Sequence, residues 1–158
     1  MTLSRVLVSM LVLFVLGFGL FSIPNGEAST PWPKKDGVVC FEVRDAGGTT
    51  LGAYKLSVSR EKGNYYHVNF EVISEDGNLL NLGFGTARVV DDKVYMTVVN
   101  SGKNDVAMYT GTSHMVLDRA TLNGVAESIG HDRNYHDLSI DTEYEIVYLY
   151  YIPSSCND

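Results

Sequence analysis

Apolar and polar residues alternate along most of the chain after residue 37. The clearest tract, residues 65–72, places Tyr66, Val68, Phe70 and Val72 on one face and more polar side chains on the other. A period of two residues is typical of a half-buried β-strand. Beyond residue 37, no segment shows the 3.6-residue apolar period of an amphipathic helix. The pattern therefore predicts an all-β domain.

Turn-forming residues separate eight tracts of this kind. The predicted strands lie near residues 38–44, 49–60, 65–74, 79–90, 93–101, 105–117, 120–129 and 142–152. Only the connection at 130–141 is longer than a hairpin, so successive strands should be antiparallel neighbours. An open sheet of this size exposes two edges, whereas closure removes both. We therefore expect one antiparallel up-and-down meander of about eight strands, closed into a small barrel.

In its number of strands, this predicted barrel resembles the lipocalin and avidin architecture. Trp32, the single tryptophan, precedes a proline and does not belong to the Gly-x-Trp sequence that opens a lipocalin; no avidin motif occurs. The resemblance is therefore one of architecture and indicates no family. It implies an interior that side chains fill or that holds one small ligand.

The amino-terminal residues have the layout of an export signal. One positive charge at Arg5 precedes residues 6–23, which carry no charged side chain, and the small residues Gly26 and Ala28 mark a cleavage site. We expect a signal peptide at 1–28, an extended arm at 29–37 and the barrel domain at 38–158. The alternative is an uncleaved anchor, because the apolar run approaches the length that spans a bilayer.

The two cysteines stand at opposite ends of the predicted domain. In a closed meander with an even number of strands, the start of the first strand lies beside the end of the last. Cys40 and Cys156 occupy those positions. Since an exported protein meets an oxidising compartment, we expect a disulfide between them.

Charge and composition narrow the classes of partner. Twelve Lys and Arg oppose 19 Asp and Glu, for a net charge of -7. Such a chain has no basic field for nucleic acid or anionic lipid, so we expect no nucleic-acid partner and no stable membrane insertion once the signal is removed. The predicted location is periplasmic or extracellular.

The barrel interior is the predicted binding site. Its expected lining comprises Val39, Phe41, Leu56, Val58, Tyr66, Val68, Phe70, Val72, Leu80, Leu82, Phe84, Val94, Met96, Val98, Met108, Ile146, Tyr148 and Tyr150. From this set, the candidate ligand contacts are Tyr66, Phe70, Phe84, Met96, Met108, Tyr148 and Tyr150. The alternative interpretation is an ordinary solid core. A cavity of about 300 Å³ or more would favour a ligand.

Residues 131–137, HDRNYHD, contain the densest group of side chains that could bind a metal or transfer protons. His131, His136, Asp132 and Asp137 are suitable ligands for a transition metal, but this spacing on a loop matches no familiar metal motif. We therefore predict no metal site.

Ser113 and His114 are adjacent on a strand and point to opposite faces, so they cannot form a nucleophile and base pair. We predict no catalytic residue and no cofactor.

Outward-facing tyrosines suggest a second use of the barrel. Tyr65, Tyr95, Tyr109 and Tyr151 are predicted on the outer face, where amphipathic aromatic rings favour contacts with sugars or proteins.

The first hypothesis is an exported, non-enzymatic β-barrel that binds a small apolar or amphipathic ligand in its interior. The alternative is a structural or interaction module of the cell envelope, with a solid core and protein or carbohydrate partners. An enzyme that uses HDRNYHD is a third.

Intact-mass measurement tests the export signal and the disulfide together. The protein recovered outside the cytoplasm should have the mass of a chain that begins at Ser29, less two hydrogens for the Cys40 to Cys156 bridge. A full-length mass in the membrane fraction would contradict cleavage. Two alkylatable thiols in the native, unreduced protein would contradict the bridge.

Overall fold

The computed structural model describes residues 32–153, and these form eight antiparallel strands in one closed barrel. The strands are β1 Gly37–Arg44, β2 Thr50–Lys62, β3 Tyr65–Ile73, β4 Leu79–Val90, β5 Lys93–Lys103, β6 Ala107–Asp118, β7 Gly124–Asn134 and β8 Ile140–Ile152. Each strand pairs with its neighbours in sequence, and β1 pairs with β8. The predicted closed meander is confirmed. Within these residues, no helix is long and apolar enough to span a membrane.

The predicted signal peptide and Cys156 lie outside the described residues. The long connection predicted at 130–141 is wrong, because β7 continues to Asn134 and β8 begins at Ile140. Most of HDRNYHD therefore belongs to a strand rather than to a loop. On the other side of β8, five residue pairs join it to β1, whereas eleven join β5 to β6. Residues 140–147 of β8 pair with β7 alone.

One end of the barrel is closed by the amino-terminal arm. Trp32 is 3% exposed, and its ring lies edge-on to Tyr66 with the ring centroids 5.5 Å apart. Arg60 anchors the arm, since its guanidinium donates to the Lys34 carbonyl and its backbone N–H donates to Asp36 Oδ1. The indole therefore plugs the end at which β3 begins.

Apolar side chains fill the half of the barrel behind this plug. The buried core comprises Trp32, Val39, Phe41, Val43, Tyr54, Leu56, Val58, Tyr66, Val68, Phe70, Ala87, Val89, Val94, Met96, Val98, Met115, Leu117, Leu122, Ala126, Val147 and Leu149. Val72 packs partly buried against them. The inward faces predicted for β1, β2, β3 and β5 are thus confirmed.

The predicted face of β4 is wrong. Leu80, Leu82 and Phe84 lie on the outer surface, and Phe84 is 70% exposed. Residues directly opposite each other on paired strands share a face, and the buried Phe70 of β3 pairs with Gly83. Gly83 and every second residue after it therefore point inward. The apolar outer residues of this strand mislead a prediction based on hydrophobicity.

The inward faces predicted for β6 and β8 are also wrong. Met108, Ile146, Tyr148 and Tyr150 point outward and are exposed, although they were expected inside. Tyr109 and Tyr151 were expected outside, yet Tyr151 packs partly buried against the core and Tyr109 lines the interior. Both faces of these strands carry apolar residues, so periodicity does not decide between them. The outward placement of Tyr65 and Tyr95 is confirmed.

Two phenylalanine truncations test these assignments. Phe70→Ala should lower the free energy of unfolding by about 3 to 5 kcal/mol, because it empties a filled core position. Phe84→Ala removes the same ring from the outer surface and should change stability by less than about 0.5 kcal/mol. Urea unfolding of both variants measures the difference. Equal losses would contradict the β4 register.

Candidate functional site

The end of the barrel opposite Trp32 is hollow and polar. A cavity of about 180 Å³ opens there, on the side of the β1–β2, β3–β4, β5–β6 and β7–β8 turns. We call this cavity the mouth; its lining residues are Tyr54, Val72, Asn81, Asn100, Tyr109, Ser113, Ser128, Gly130, Glu143 and Glu145. This volume is below the roughly 300 Å³ expected of a ligand cavity from the sequence, so the mouth has room only for a molecule smaller than a typical ligand.

Glycines make room for an aromatic ring in the mouth. A single row of paired residues crosses five strands in the order Gly83, Asn100, Gly111, Gly130 and Glu143. Three of these five inward positions have no side chain. A Cβ added at Gly111 or Gly130 would collide with the ring of Tyr109, so the two glycines provide the space in which that ring lies.

Asn100 is the least satisfied polar group in the mouth. Its side chain is 5% exposed, and its Oδ1 atom has no hydrogen-bond partner. A buried acceptor without a donor costs about 1 to 3 kcal/mol. By contrast, the neighbouring buried hydroxyls of Ser113 and Ser128 hydrogen-bond to each other at 2.8 Å. Among the residues that line the mouth, Asn100 therefore holds one buried acceptor without a protein donor.

Negative charge accumulates at the same place. Glu143 and Glu145 line the mouth, no Lys, Arg or His does, and neither carboxylate has an ion pair within the described chain. Burial raises the pKa of Glu145, and the charge of Glu143 raises it further. The two carboxylates thus repel each other, and both residues are exposed to solvent.

Burial and the same negative charges raise the pKa values of the two tyrosines in the mouth. Burial raises the pKa of Tyr109, and the charges of Asp132, Glu145 and Glu143 add to the shift. Burial likewise raises the pKa of Tyr54, with a further contribution from Glu145. Both phenols therefore keep their protons around neutral pH and remain available as hydrogen-bond donors.

None of the ligand contacts predicted from the sequence lines this cavity. Tyr66, Phe70 and Met96 lie inside the barrel but in its filled half. Phe84, Met108, Tyr148 and Tyr150 lie on the outer surface. A signal for the residues that line the cavity exists in the sequence, since small or polar residues continue the inward parity beyond each apolar run of β5 to β8. The residues that this signal identifies are Asn100, Gly111, Ser113, Ser128, Gly130, Glu143 and Glu145.

The HDRNYHD segment does not assemble a site. His131 is exposed on β7, and its Nδ1 lies 2.9 Å from the hydroxyl of Thr142. His136 is in the following turn, and the Asp137 carboxylate accepts hydrogen bonds from Ser139, which lower its pKa. Over residues 32–153, no three His, Cys, Asp or Glu side chains are grouped as metal ligands.

The serine and histidine side chains are also separated. Ser113 is buried in the mouth, whereas His114 lies on the outer face with its Nδ1 3.0 Å from the hydroxyl of Thr97. His67 is on the outer face of β3, 3.5 Å from Glu61. The hydroxyls that line the mouth therefore have no imidazole beside them in the described chain.

A row of apolar side chains crosses the outside of the barrel. Phe84, Val99, Thr112, Ile129 and Tyr144 pair in one continuous register over β4 to β8. The four large members are each more than 45% exposed. We call these five residues the outer row. Contiguous apolar surface of this kind is typical of a contact area.

Comparisons with protein-family models, with curated proteins and with solved structures found no match to this chain. Function therefore has to be inferred from the side chains of the mouth and of the outer row.

Neutralising Glu145 tests the electrostatics of the mouth. Because the folded state raises the pKa of Glu145, folding favours its protonated form, and the stability associated with this group falls as pH rises through the interval between the unfolded and folded pKa values. Glu145→Gln should therefore be more stable than the parent above this interval and lose the advantage below it. Thermal unfolding across pH 3 to 8 measures the effect.

The matched control is Glu127→Gln, which removes the same charge from the exposed outer face of β7. It should show no comparable gain. A Glu145→Gln variant that follows its control at every pH would contradict the electrostatic account.

Proposed function

We propose that the protein is an exported, non-enzymatic β-barrel that binds a small amphipathic ligand through the mouth. The observation that carries the proposal is Asn100, a residue that lines the cavity and whose buried Oδ1 atom has no partner among the described residues. A bound molecule that donates a hydrogen bond would remove the cost of that atom. Because the apolar half is already filled, the polar end of the ligand enters the barrel.

The barrel wall supports binding more than catalysis. Convergent polar groups on rigid strands, at one end of a barrel whose other end is closed, are typical of ligand sites. The hydroxyls of Ser113 and Ser128 satisfy each other, and the described histidines lie away from them. The mouth therefore offers hydrogen bonds and charge without an activated nucleophile.

Export and the disulfide belong to the same proposal. Cys40 is buried on β1 and pairs with Ile152 near the end of β8, so the chain approaches Cys40 shortly before it reaches Cys156. This adjacency supports a bridge between the two cysteines. A disulfide that closes nearly the whole domain suits a periplasmic or extracellular protein.

The outer row supports a second candidate function. A face that exposes Phe84, Val99, Ile129 and Tyr144 in continuous register would suit an envelope interaction module with protein or carbohydrate partners. This candidate uses the outside of the barrel, whereas the first uses the mouth. The two are therefore separable by mutation.

Asn100→Leu tests the mouth, with Phe84→Ala as its counterpart on the outer row. Native mass spectra of the protein purified from its own host should show a retained low-mass ligand, which Asn100→Leu loses and Phe84→Ala keeps. Without ligand, Asn100→Leu should be about 1 kcal/mol more stable than the parent, because the unpaired acceptor is gone. Loss of a bound partner only in Phe84→Ala would favour the interaction module instead.

A further inference from the structure

We propose that the mouth selects a small organic cation with a primary ammonium group, held by Asn100, Glu143 and Glu145. This inference rests on the proposed function, since it names the chemical class of the ligand that the mouth binds. Three features of the mouth support a cation: the charge of its lining, the hydrogen-bonding character of its polar atoms, and its aromatic rings.

The charge of the lining favours a cation over an anion or a neutral molecule. Two carboxylates face the cavity, the charge of Asp132 reaches Tyr109 beside it, and no basic side chain lines the mouth. Two half-buried carboxylates elsewhere on this barrel have basic partners, Lys55 for Glu71 and Lys93 for Asp118, whereas exposed ones such as Glu127 and Asp141 have none among the described residues. Glu143 and Glu145 have none within residues 32–153. A bound cation would supply the missing counter-charge.

The charged atoms of the mouth, and its one buried polar atom without a partner, are acceptors. An ionised carboxylate only accepts hydrogen bonds, and so does the Oδ1 atom of Asn100. A primary ammonium group carries three N–H donors and no acceptor, so it complements this set. Hydrogen bonds in which both partners are charged are the stronger kind. An anion would meet repulsion, and a neutral alcohol would leave the two carboxylates uncompensated.

Aromatic rings complete the complementarity. Tyr54 and Tyr109 line the mouth, and the ring of Tyr54 is held by an edge-on contact with Phe70 at a centroid distance of 4.8 Å. The faces of such rings attract organic cations. Tyr109 is fixed across Gly111 and Gly130, where any side chain would displace it. The rings are thus positioned before the ligand arrives.

A metal ion is a poorer match for the same groups. Over the described residues, no three potential Asp, Glu, His or Cys ligands are grouped together. Hard divalent cations such as Ca²⁺ take six to eight oxygen ligands in protein sites. A monovalent organic cation needs fewer charged ligands and uses the rings, which a hydrated metal ion does not.

The strongest competing explanation for the carboxylates is protection of a strand edge. Residues 140–147 of β8 have a strand neighbour on one side only, and inward charges are one device that keeps such an edge from pairing with another molecule. Edge protection predicts self-association when the charge is removed and no preference among small molecules. The cation site predicts charge-selective binding by the monomer.

The test compares three probes of one shape and three charges: butylammonium, 1-butanol and butyrate. The protein is expressed as the full chain, labelled with stable isotopes and purified as the cell processes it. Each probe is titrated into it at constant ionic strength. The NMR chemical shifts of Asn100, Gly111 and Gly130 report binding. Butylammonium should bind at least about tenfold more tightly than 1-butanol, and butyrate should not bind.

Glu145→Gln should weaken butylammonium binding by about tenfold and leave 1-butanol binding unchanged, because it removes charge and keeps shape. Glu127→Gln on the outer face should change neither. If the mouth binds 1-butanol as tightly as butylammonium, the cation inference is wrong and the proposed binding function stands. If none of the probes shifts these residues, both are contradicted. Self-association of Glu145→Gln, without any change in probe binding, would assign the carboxylate to edge protection.

Discussion

The register between neighbouring strands is the constraint on which this barrel depends. Paired residues share a face, so the buried Phe70 places Gly83 inside, Gly83 places Asn100 inside, and the row continues through Gly111 and Gly130. A shift of one residue in any of these pairings would exchange the inner and outer faces of a strand. The filled half, the mouth and the outer row all follow from this one alignment.

The same alignment divides the interior by chemistry. Toward Trp32, the inward residues are large and apolar, and their burial supplies the main driving force for folding. Toward the mouth, the inward positions carry glycine, serine, asparagine and glutamate, which contribute little apolar burial and leave Asn100 unpaired. The apolar half stabilises the fold, whereas the polar mouth lowers its stability. Binding sites commonly lower the stability of a protein in this way.

Strand number, turns and closure could be predicted from the sequence because they depend on local alternation and on turn residues. The faces of β3 and β5 were also predictable, since their apolar residues lie on one side. The predictions for β4, β6 and β8 were wrong because hydrophobicity favours Phe84, Met108 and Tyr148, whereas pairing with the neighbouring strands sets the face.

The candidate site was missed for a related reason. Asn100 and Glu145 lie at positions where an apolar run gives way to polar residues, which resembles the solvated end of any strand. Their convergence depends on the staggered pairing of β5 to β8, and that stagger is a property of the closed barrel rather than of any one strand. HDRNYHD, by contrast, resembled a metal or acid-base site in the sequence because its polar residues are adjacent. In the fold, His131 points outward from β7 and His136 lies in the following turn.

The most direct test of a divided interior uses two cysteine substitutions on β7. Ser128→Cys places a thiol in the mouth, and Ala126→Cys places one in the filled half, two residues away on the same face. Rates of reaction with a trimethylammonium and a sulfonate methanethiosulfonate are measured relative to Thr110→Cys on the outer face. The account predicts that Ser128→Cys reacts and favours the cationic reagent, while Ala126→Cys is protected from both. Equal protection at both positions, or a preference of Ser128→Cys for the anionic reagent, would contradict it.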